Sequence, residues 1–290
     1  MTTIETLRTS PQEYIYELLV DASIEALPSQ LINDSAIIDQ IPSANVFIPH
    51  LPGSNLDNTI AATKSVAGLG RKAVPHLPAR SFKNKEELSS WLSQIRETDT
   101  TRLLVIAGDS NSSKGPFSNT ASILETGLLE FYDFKTIFVS GHPDGHPVAK
   151  EAELLDALAA KCAWSNSTGM DLRIVTQFTF NIEGFSNWML GIKDVIQDVP
   201  VHLGIAGPAS TALLMKYALS CGVKLSGRFM LTNAKASKLL VGWAPDELLA
   251  DLSNYNHISA PAGIHIFPFG GIKKTADWIS KNTSIQRVIV

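Results

Sequence analysis

The sequence predicts an α/β protein, a single (βα)8 TIM barrel over residues 1–290 with extra helices between strands 7 and 8. Three observations carry that expectation. A chain of 290 residues is long enough for one large core. Hydrophobic residues make up 44% and charged residues 18%, which excludes a disordered chain. Strand-like runs, each followed by a segment able to form a helix, recur eight times, and eight such units favour a closed barrel over an open doubly wound sheet.

In chain order the runs are Ala22–Pro28, Asn45–Leu51, Ala73–Leu77, Arg102–Gly108, Thr136–Gly141, Arg173–Phe180, Val201–Ala206 and Gly263–Phe269. They are rich in Val, Ile, Leu and Phe, as expected for strands covered on both faces. Among the connecting helices, Asn84 to Arg96 is the clearest. Leu88, Trp91, Leu92 and Ile95 fall on one face at helical spacing, and Asn84 with Glu87 makes a capping-box-like start. Ser210 to Cys221 repeats such a stripe with Leu214, Tyr217, Ala218 and Cys221, behind Pro208 and Ser210, where a helix begins. Between the seventh and eighth strands, Asn233–Leu240 and Pro245–Leu252 read as helical insertions. Nothing in the chain reads as a linker, a repeat or a low-complexity stretch.

Several function classes are disfavoured by composition. Lys plus Arg number 24 against 28 Asp plus Glu, a net charge of −4, which offers no broad attraction for nucleic acid or an anionic membrane. The start of the chain lacks the pattern of a signal peptide, and no apolar run is long enough to span a bilayer, so the expected location is the cytoplasm. Cys162 and Cys221 lie far apart, outside any metal or disulfide spacing, and read as buried thiols.

Active sites of such barrels lie at the C-terminal strand ends. Glu25 stands at the first, His50 at the second, His76 at the third and Gly108-Asp109 at the fourth. The fifth closes with His142-Pro143-Asp144-Gly145-His146-Pro147 and the sixth with Gln177. Taken singly, the glutamate reads equally as a paired structural acid, the histidines as hydrogen-bonded core residues and Asp109 as a turn cap. Their placement on one rim points instead to a reaction centre. No metal is expected: His142 and His146 are four apart, but the surrounding Pro and Gly exclude the helix that would turn both onto one ion. Gly270-Gly271 followed by Lys273 and Lys274 suits either a phosphate loop or a tight turn with a solvated basic pair. No Rossmann or P-loop glycine pattern occurs.

Read together, these strand ends resemble the methylenetetrahydrofolate reductases, flavin-dependent barrels of one-carbon metabolism and methionine biosynthesis. Ser23-Ile24-Glu25-Ala26-Leu27-Pro28 is similar to the family's Ser-Phe-Glu-Phe-Phe-Pro, Pro75-His76-Leu77 to Pro-His-Leu, and Gly108-Asp109 to Arg-Gly-Asp. Pro143-Asp144-Gly145-His146-Pro147 resembles Pro-Glu-Gly-His-Pro, and Thr176-Gln177-Phe178-Thr179-Phe180-Asn181 resembles Thr-Gln-Phe-Phe-Phe-Asp. The last two motifs are the most specific, and the motifs run from Ser23 to about Tyr217.

The resemblance implies an oxidoreductase with bound FAD that interconverts 5,10-methylenetetrahydrofolate and 5-methyltetrahydrofolate, using NADH or NADPH as co-substrate. It makes Glu25 the general acid and places Asp109 against both the pterin and the flavin. His50, His76, Gly108, Asp109, His142, His146 and Lys161 become flavin-binding candidates. Gln177, Tyr217 and Lys273 join Glu25 and Asp109 as substrate-binding candidates, with Tyr217 stacking on nicotinamide or folate. It also implies a homo-oligomer and, because the chain ends soon after its eighth strand, no separate regulatory domain. The departures are as definite. Ala107 replaces the arginine before Gly-Asp, Lys161 is the nearest match to the basic pair that holds the pyrophosphate, and His142 replaces a usual Tyr. Lys273, Lys274 or Arg80 could restore the missing charge. The second strand has Ile48-Pro49-His50-Leu51-Pro52 for a Thr-Tyr-Gly loop, and the eighth has Phe267-Pro268-Phe269-Gly270-Gly271 for Tyr-Thr-Leu-Asn-Arg. Two rival readings are a non-catalytic folate- or flavin-binding relative and a metal-dependent barrel hydrolase.

Overall fold

The computed structural model describes residues 10–34, 36–41, 43, 45–51, 53–108, 112–223, 242–253 and 260–284. Its centre is a closed barrel of eight parallel strands: β1 (Ser23–Glu25), β2 (Asn45–Ile48), β3 (Lys72–Pro78), β4 (Arg102–Ile106), β5 (Thr136–Gly141), β6 (Asp171–Phe178), β7 (Val201–Ala206) and, after the short β8 (Ala209–Ser210) and β9 (Gly242–Trp243), β10 (Gly263–Phe267). Neighbours in the barrel are neighbours in sequence, and β10 closes the ring against β1 in the register Ser23 to His265. The expected strands are all present within a few residues. The antiparallel pair β8 and β9, joined through Ala209 and Trp243, lies outside the ring.

Side chains alternate across each strand. Phe47, Val74, Leu104, Phe138 and Val175 meet inside the barrel. Ile24, Val46, Leu77, Val105, Val139, Ile174, Leu203 and Ile266 belong to the larger cluster that the surrounding helices cover. Helix α5 (Lys85–Arg96), which follows α1 (Pro11–Val20), α2 (Pro28–Asn33), α3 (Ala36–Asp39) and α4 (Leu56–Gly68), buries the Leu88, Trp91, Leu92 and Ile95 stripe expected of it. Its start is half a capping box. Asn84 Oδ1 accepts from the Glu87 backbone N–H at 2.8 Å, but the Glu87 carboxylate accepts from Lys83 N–H rather than from Asn84.

Then come α6 (Thr120–Leu124), α7 (Leu128–Phe131), α8 (Glu151–Thr168), α9 (Ile182–Ile196) and α10 (Thr211–Cys221). Ser210 caps α10 by accepting from Leu213 N–H, and Gly222 closes it with φ +67°, a left-handed conformation that favours glycine. Of the two expected insertions, one forms α11 (Asp246–Ser253), while Asn233–Leu240 lies outside the described residues. Helix α12 (Ile272–Ser284) packs with α11 on α1.

A polar floor fills the N-terminal end of the barrel. Arg102 Nη1 donates to Asn45 Oδ1 at 2.6 Å, Thr136 Oγ1 donates to Asp171 Oδ2 at 2.9 Å, and Arg173 Nε lies 3.1 Å from the same oxygen. At the other end, the β6 to β7 register shifts between Val175 and Phe178. Gly204 permits that irregularity, since a Cβ there would lie 2.3 Å from the Thr176 carbonyl oxygen. Its N–H donates to Thr176 Oγ1 at 2.8 Å.

Candidate functional site

Ser23 and Glu25, two residues apart on β1, share the inward face with His265 of β10. Ser23 Oγ lies 2.9 Å from His265 Nδ1, and His265 Nε2 lies 3.7 Å from Glu25 Oε2. The imidazole is therefore strung between a hydroxyl and a carboxylate. Ser23 and His265 are 5% and 1% exposed, so no bulk water competes for their polar atoms. Nε2 is at ion-pair rather than hydrogen-bond distance from the carboxylate, while Nδ1 shares a hydrogen bond with the Ser23 hydroxyl. Phe47 and Phe267 wall the ring, with centroids 4.5 and 4.7 Å away.

Burial pushes the Glu25 carboxyl up, but the adjoining His265 and the His76 imidazole pull it down further, and its pKa settles below the ordinary carboxylate value. Glu25 is thus an anion at neutral pH in the ligand-free protein. Its Oε2 is buried and accepts no hydrogen bond, and His76 Nε2 is likewise buried without a partner. Unsatisfied buried polar atoms of this kind call for an explanation, and a place in a reaction centre is one. His76 is held neutral, its pKa pulled to about 4 by burial, with Glu25 opposing and His265 and His50 reinforcing. Half-buried His50 joins the same rim, with Nδ1 3.4 Å from Ser54 Oγ and a pKa lowered by burial and by Lys114.

The β5 end carries a second group. His142 and His146 meet edge to face with centroids 5.2 Å apart. The turn from His142 to Gly145 is closed by a Gly145 N–H bond to the His142 carbonyl, at a glycine φ of +89°. His146 Nδ1 accepts from the N–H groups of Val148 and Ala149, which leaves Nε2–H as an outward donor. Lys161, from α8, is 8% exposed and makes no ion pair or hydrogen bond among the described residues. Burial lowers its pKa to about 8, and burial first, then His146 and Lys161, lowers that of His142 to about 4.

Other expected residues take varied places. Gly108, with φ +93°, ends the fourth unit, and a Cβ there would press on Pro78 at 3.1 Å. Asp109 lies outside the described residues. Gln177 stands in the β6 irregularity with Oε1 accepting from Phe178 N–H. Tyr217 stacks on Phe269 with ring centroids 4.2 Å apart. Lys273 is exposed and paired with Asp277 one turn on, at 2.8 Å, and so is turned along its own helix. Arg80 Nη1 and Nε donate to the carbonyls of Gly108 and Ser118, which sets a guanidinium beside the strand end where Ala107 provides no charge.

Sequence reasoning missed His265 as a site residue. Its signal was present: in Gly263–Phe267 the outward positions are Ile264 and Ile266, so His265 faces the interior. That it meets Glu25 depends on closure of the ring. Among the described residues no group of three or more His, Cys, Asp or Glu could hold a metal ion, and no helix is long and apolar enough to cross a membrane.

The family model for methylenetetrahydrofolate reductase matches residues 48–237, more than half of the chain. Among solved structures, an uncharacterized protein from Clostridium thermocellum that binds two copies of 5-methyl-5,6,7,8-tetrahydrofolic acid shares the fold. Its TM-score is 0.61 at 10% sequence identity, covering 96% of this chain and 100% of that one.

Proposed function

Since the chain belongs to the methylenetetrahydrofolate reductase family, we propose that it is a flavin-dependent oxidoreductase interconverting 5,10-methylenetetrahydrofolate and 5-methyltetrahydrofolate with NADH or NADPH. One observation carries the reading. An ionisable carboxylate, Glu25, waits at the barrel mouth with a buried oxygen unpartnered and an imidazole on either side. A tetrahydrofolate in a barrel of this shape is consistent with what the clostridial protein binds.

The chain's own residues fit a flavin dinucleotide. Lys161, buried and without a counter-charge among the described residues, and the outward Nε2–H of His146 form a donor set suited to phosphates. His76 Nε2, buried and unpartnered, suits a polar edge of the ring system. Gly108 and Asp109 belong to the same rim by sequence, and His50 and His142 flank it. A bound flavin would relay the electron pair between NAD(P)H and the folate carbon.

Glu25 moves the proton. In the oxidative direction its resting anion is ready to accept one. In the reductive direction it must first take one up, which a ligand covering the mouth would assist by excluding water and so raising the carboxyl. His265, anchored by Ser23, stands 3.7 Å from Oε2 and favours the anion. Gln177 and Tyr217 remain candidates for folate contact.

The test is an absorbance spectrum of the purified protein between about 300 and 550 nm, followed by anaerobic NADH or NADPH and then methylenetetrahydrofolate. Bleaching by the nicotinamide and recovery with the folate are expected. A protein that takes up neither FAD nor a tetrahydrofolate would sink the proposal.

A further inference from the structure

The N-terminal end of the barrel, opposite the Glu25 mouth, gathers charge that the folate reading leaves unused. Arg102 of β4 donates through Nη1 to Asn45 Oδ1 at 2.6 Å, and Arg173 of β6 lies with Nε 3.1 Å from Asp171 Oδ2. The two guanidinium groups are close enough to repel: the pKa of Arg102 is lowered first by burial and then by Arg173, with Asp171 alone opposing. Two arginines thus share one carboxylate. That carboxylate is engaged elsewhere as well, because Thr136 Oγ1 donates to Asp171 Oδ2 at 2.9 Å.

Each arginine keeps one edge of its fork unused. Among the described residues Arg102 donates only through Nη1, which leaves its Nε/Nη2 edge, and Arg173 only through Nε, which leaves its Nη1/Nη2 edge. The Arg173 side chain is 37% exposed, so its edge opens to solvent. His202 of β7 backs the pair, its ring edge to face with Phe138 at 5.8 Å and its Nε2 buried without a partner. Burial first, then Arg173 and His265, lowers its pKa to about 4 against the pull of Asp171, so a neutral ring and not an anion adjoins the arginines. Gly263 makes room for that ring, since a Cβ there would lie 2.7 Å from His202 Nδ1. Exposed Lys72, in register with Asn45, adds a third cation with no partner among the described residues.

We propose that this floor is a binding site for a phosphate group, held by the unused edges of Arg102 and Arg173. A guanidinium edge presents two parallel N–H groups that match two oxygens of one anion, and two such edges call on more oxygens than a carboxylate has but a tetrahedral oxyanion provides. The local charge agrees, since Arg102, Arg173 and Lys72 outnumber Asp171. The site lies at the far end of the barrel from Glu25 and His142 and stands whether or not the chain binds a folate or a flavin. Free phosphate and the phosphoryl group of a mononucleotide share this chemistry.

The test is calorimetric titration of the full-length protein with inorganic phosphate and with AMP, each against chloride at matched ionic strength. Wild type should bind at least one of the two, and the tighter ligand identifies the source of the phosphate. Arg102→Lys and Arg173→Lys keep the charge and lose the fork, so each should weaken binding about tenfold or more, the usual contribution of a charge-assisted hydrogen bond. Lys161→Gln, at the other rim, should leave it unchanged. Heat no greater than that of chloride, affinity unmoved in both lysine variants, or affinity lost in Lys161→Gln would each overturn the proposal. Independently, the imidazole NMR signals of His202, identified by His202→Phe, should move on saturation while those of His146 stay; movement confined to His146 would put the anion at the wrong end of the barrel. Thermal melts check folding, and if one lysine variant unfolds, the other and the His202 signals still decide.

Discussion

Replacing Ser23 by Ala tests the geometry around Glu25 without touching Glu25. The hydroxyl removed is the partner of His265 Nδ1 at 2.9 Å, and both residues are almost fully buried, so water cannot take its place. A buried nitrogen left without a partner costs about 1–3 kcal/mol. For a chain of this size that is a fall in Tm of about 2–8 °C at neutral pH. A second effect follows from the carboxyl. Glu25 has a folded-state pKa below its ordinary value, so its contribution to stability is present above the unfolded pKa and is lost as pH falls through the folded one. A looser His265 lowers the carboxyl less, so the Tm gap between wild type and variant should narrow as the pH drops below about 4.5. Circular dichroism melts at several pH values read both effects, and a double-mutant cycle with His265→Leu isolates the pair. A Tm within about 1 °C of wild type at neutral pH, or a cycle with no coupling, would refute the arrangement.

Glu25→Gln should leave reduction of bound flavin by NAD(P)H intact and lower folate turnover about 10²- to 10⁴-fold, the usual worth of a general acid or base, and unaffected turnover would remove Glu25 from the reaction. Because its pKa lies below the ordinary carboxylate value, kcat/KM for methylenetetrahydrofolate reduction by wild type should fall with rising pH throughout the neutral range, and a flat profile there would contradict proton donation by this group. Lys161→Gln should weaken flavin affinity with little change in Tm, since it deletes a buried cation that has no protein counter-charge among the described residues; flavin titration decides it. Gly204→Ala places a methyl 2.3 Å from the Thr176 carbonyl and should cost about 3 kcal/mol or more, read by urea denaturation. The neutral, buried His76, with a pKa near 4, gains a proton more readily unfolded than folded, so stability should decline as pH drops from about 6.5 towards 4, and His76→Phe should flatten that slope.

Much of the molecule was legible in the order of residues. The eight strands and the α5 stripe follow from local periodicity, because a strand or helix end is set by neighbours a few positions away. Of the α10 stripe only Leu214 and Ala218 are buried: Tyr217 is exposed, and Cys221, expected as a buried thiol like Cys162, is only partly covered. The strand-end rule likewise placed Glu25, His50, His76, His142 and His146 on one rim, and Glu25 and His76 there are within reach of each other's charge. Some details were misjudged by the same local logic. Glu87, for instance, spends its carboxylate on Lys83 instead of returning to Asn84.

What the sequence by itself determined is the kind of element at each stretch and the rim on which its terminal residues stand, because both depend on side-chain alternation and spacing along the chain. The tertiary structure decided the pairs. His265 meets Ser23 and Glu25 across more than 200 positions only because β10 closes on β1, and Tyr217 finds Phe269 only because a turn at Pro268 faces α10. The direction of the Glu25 pKa belongs with those contacts: burial alone would raise it, and the two imidazoles brought by β3 and β10 reverse the sign.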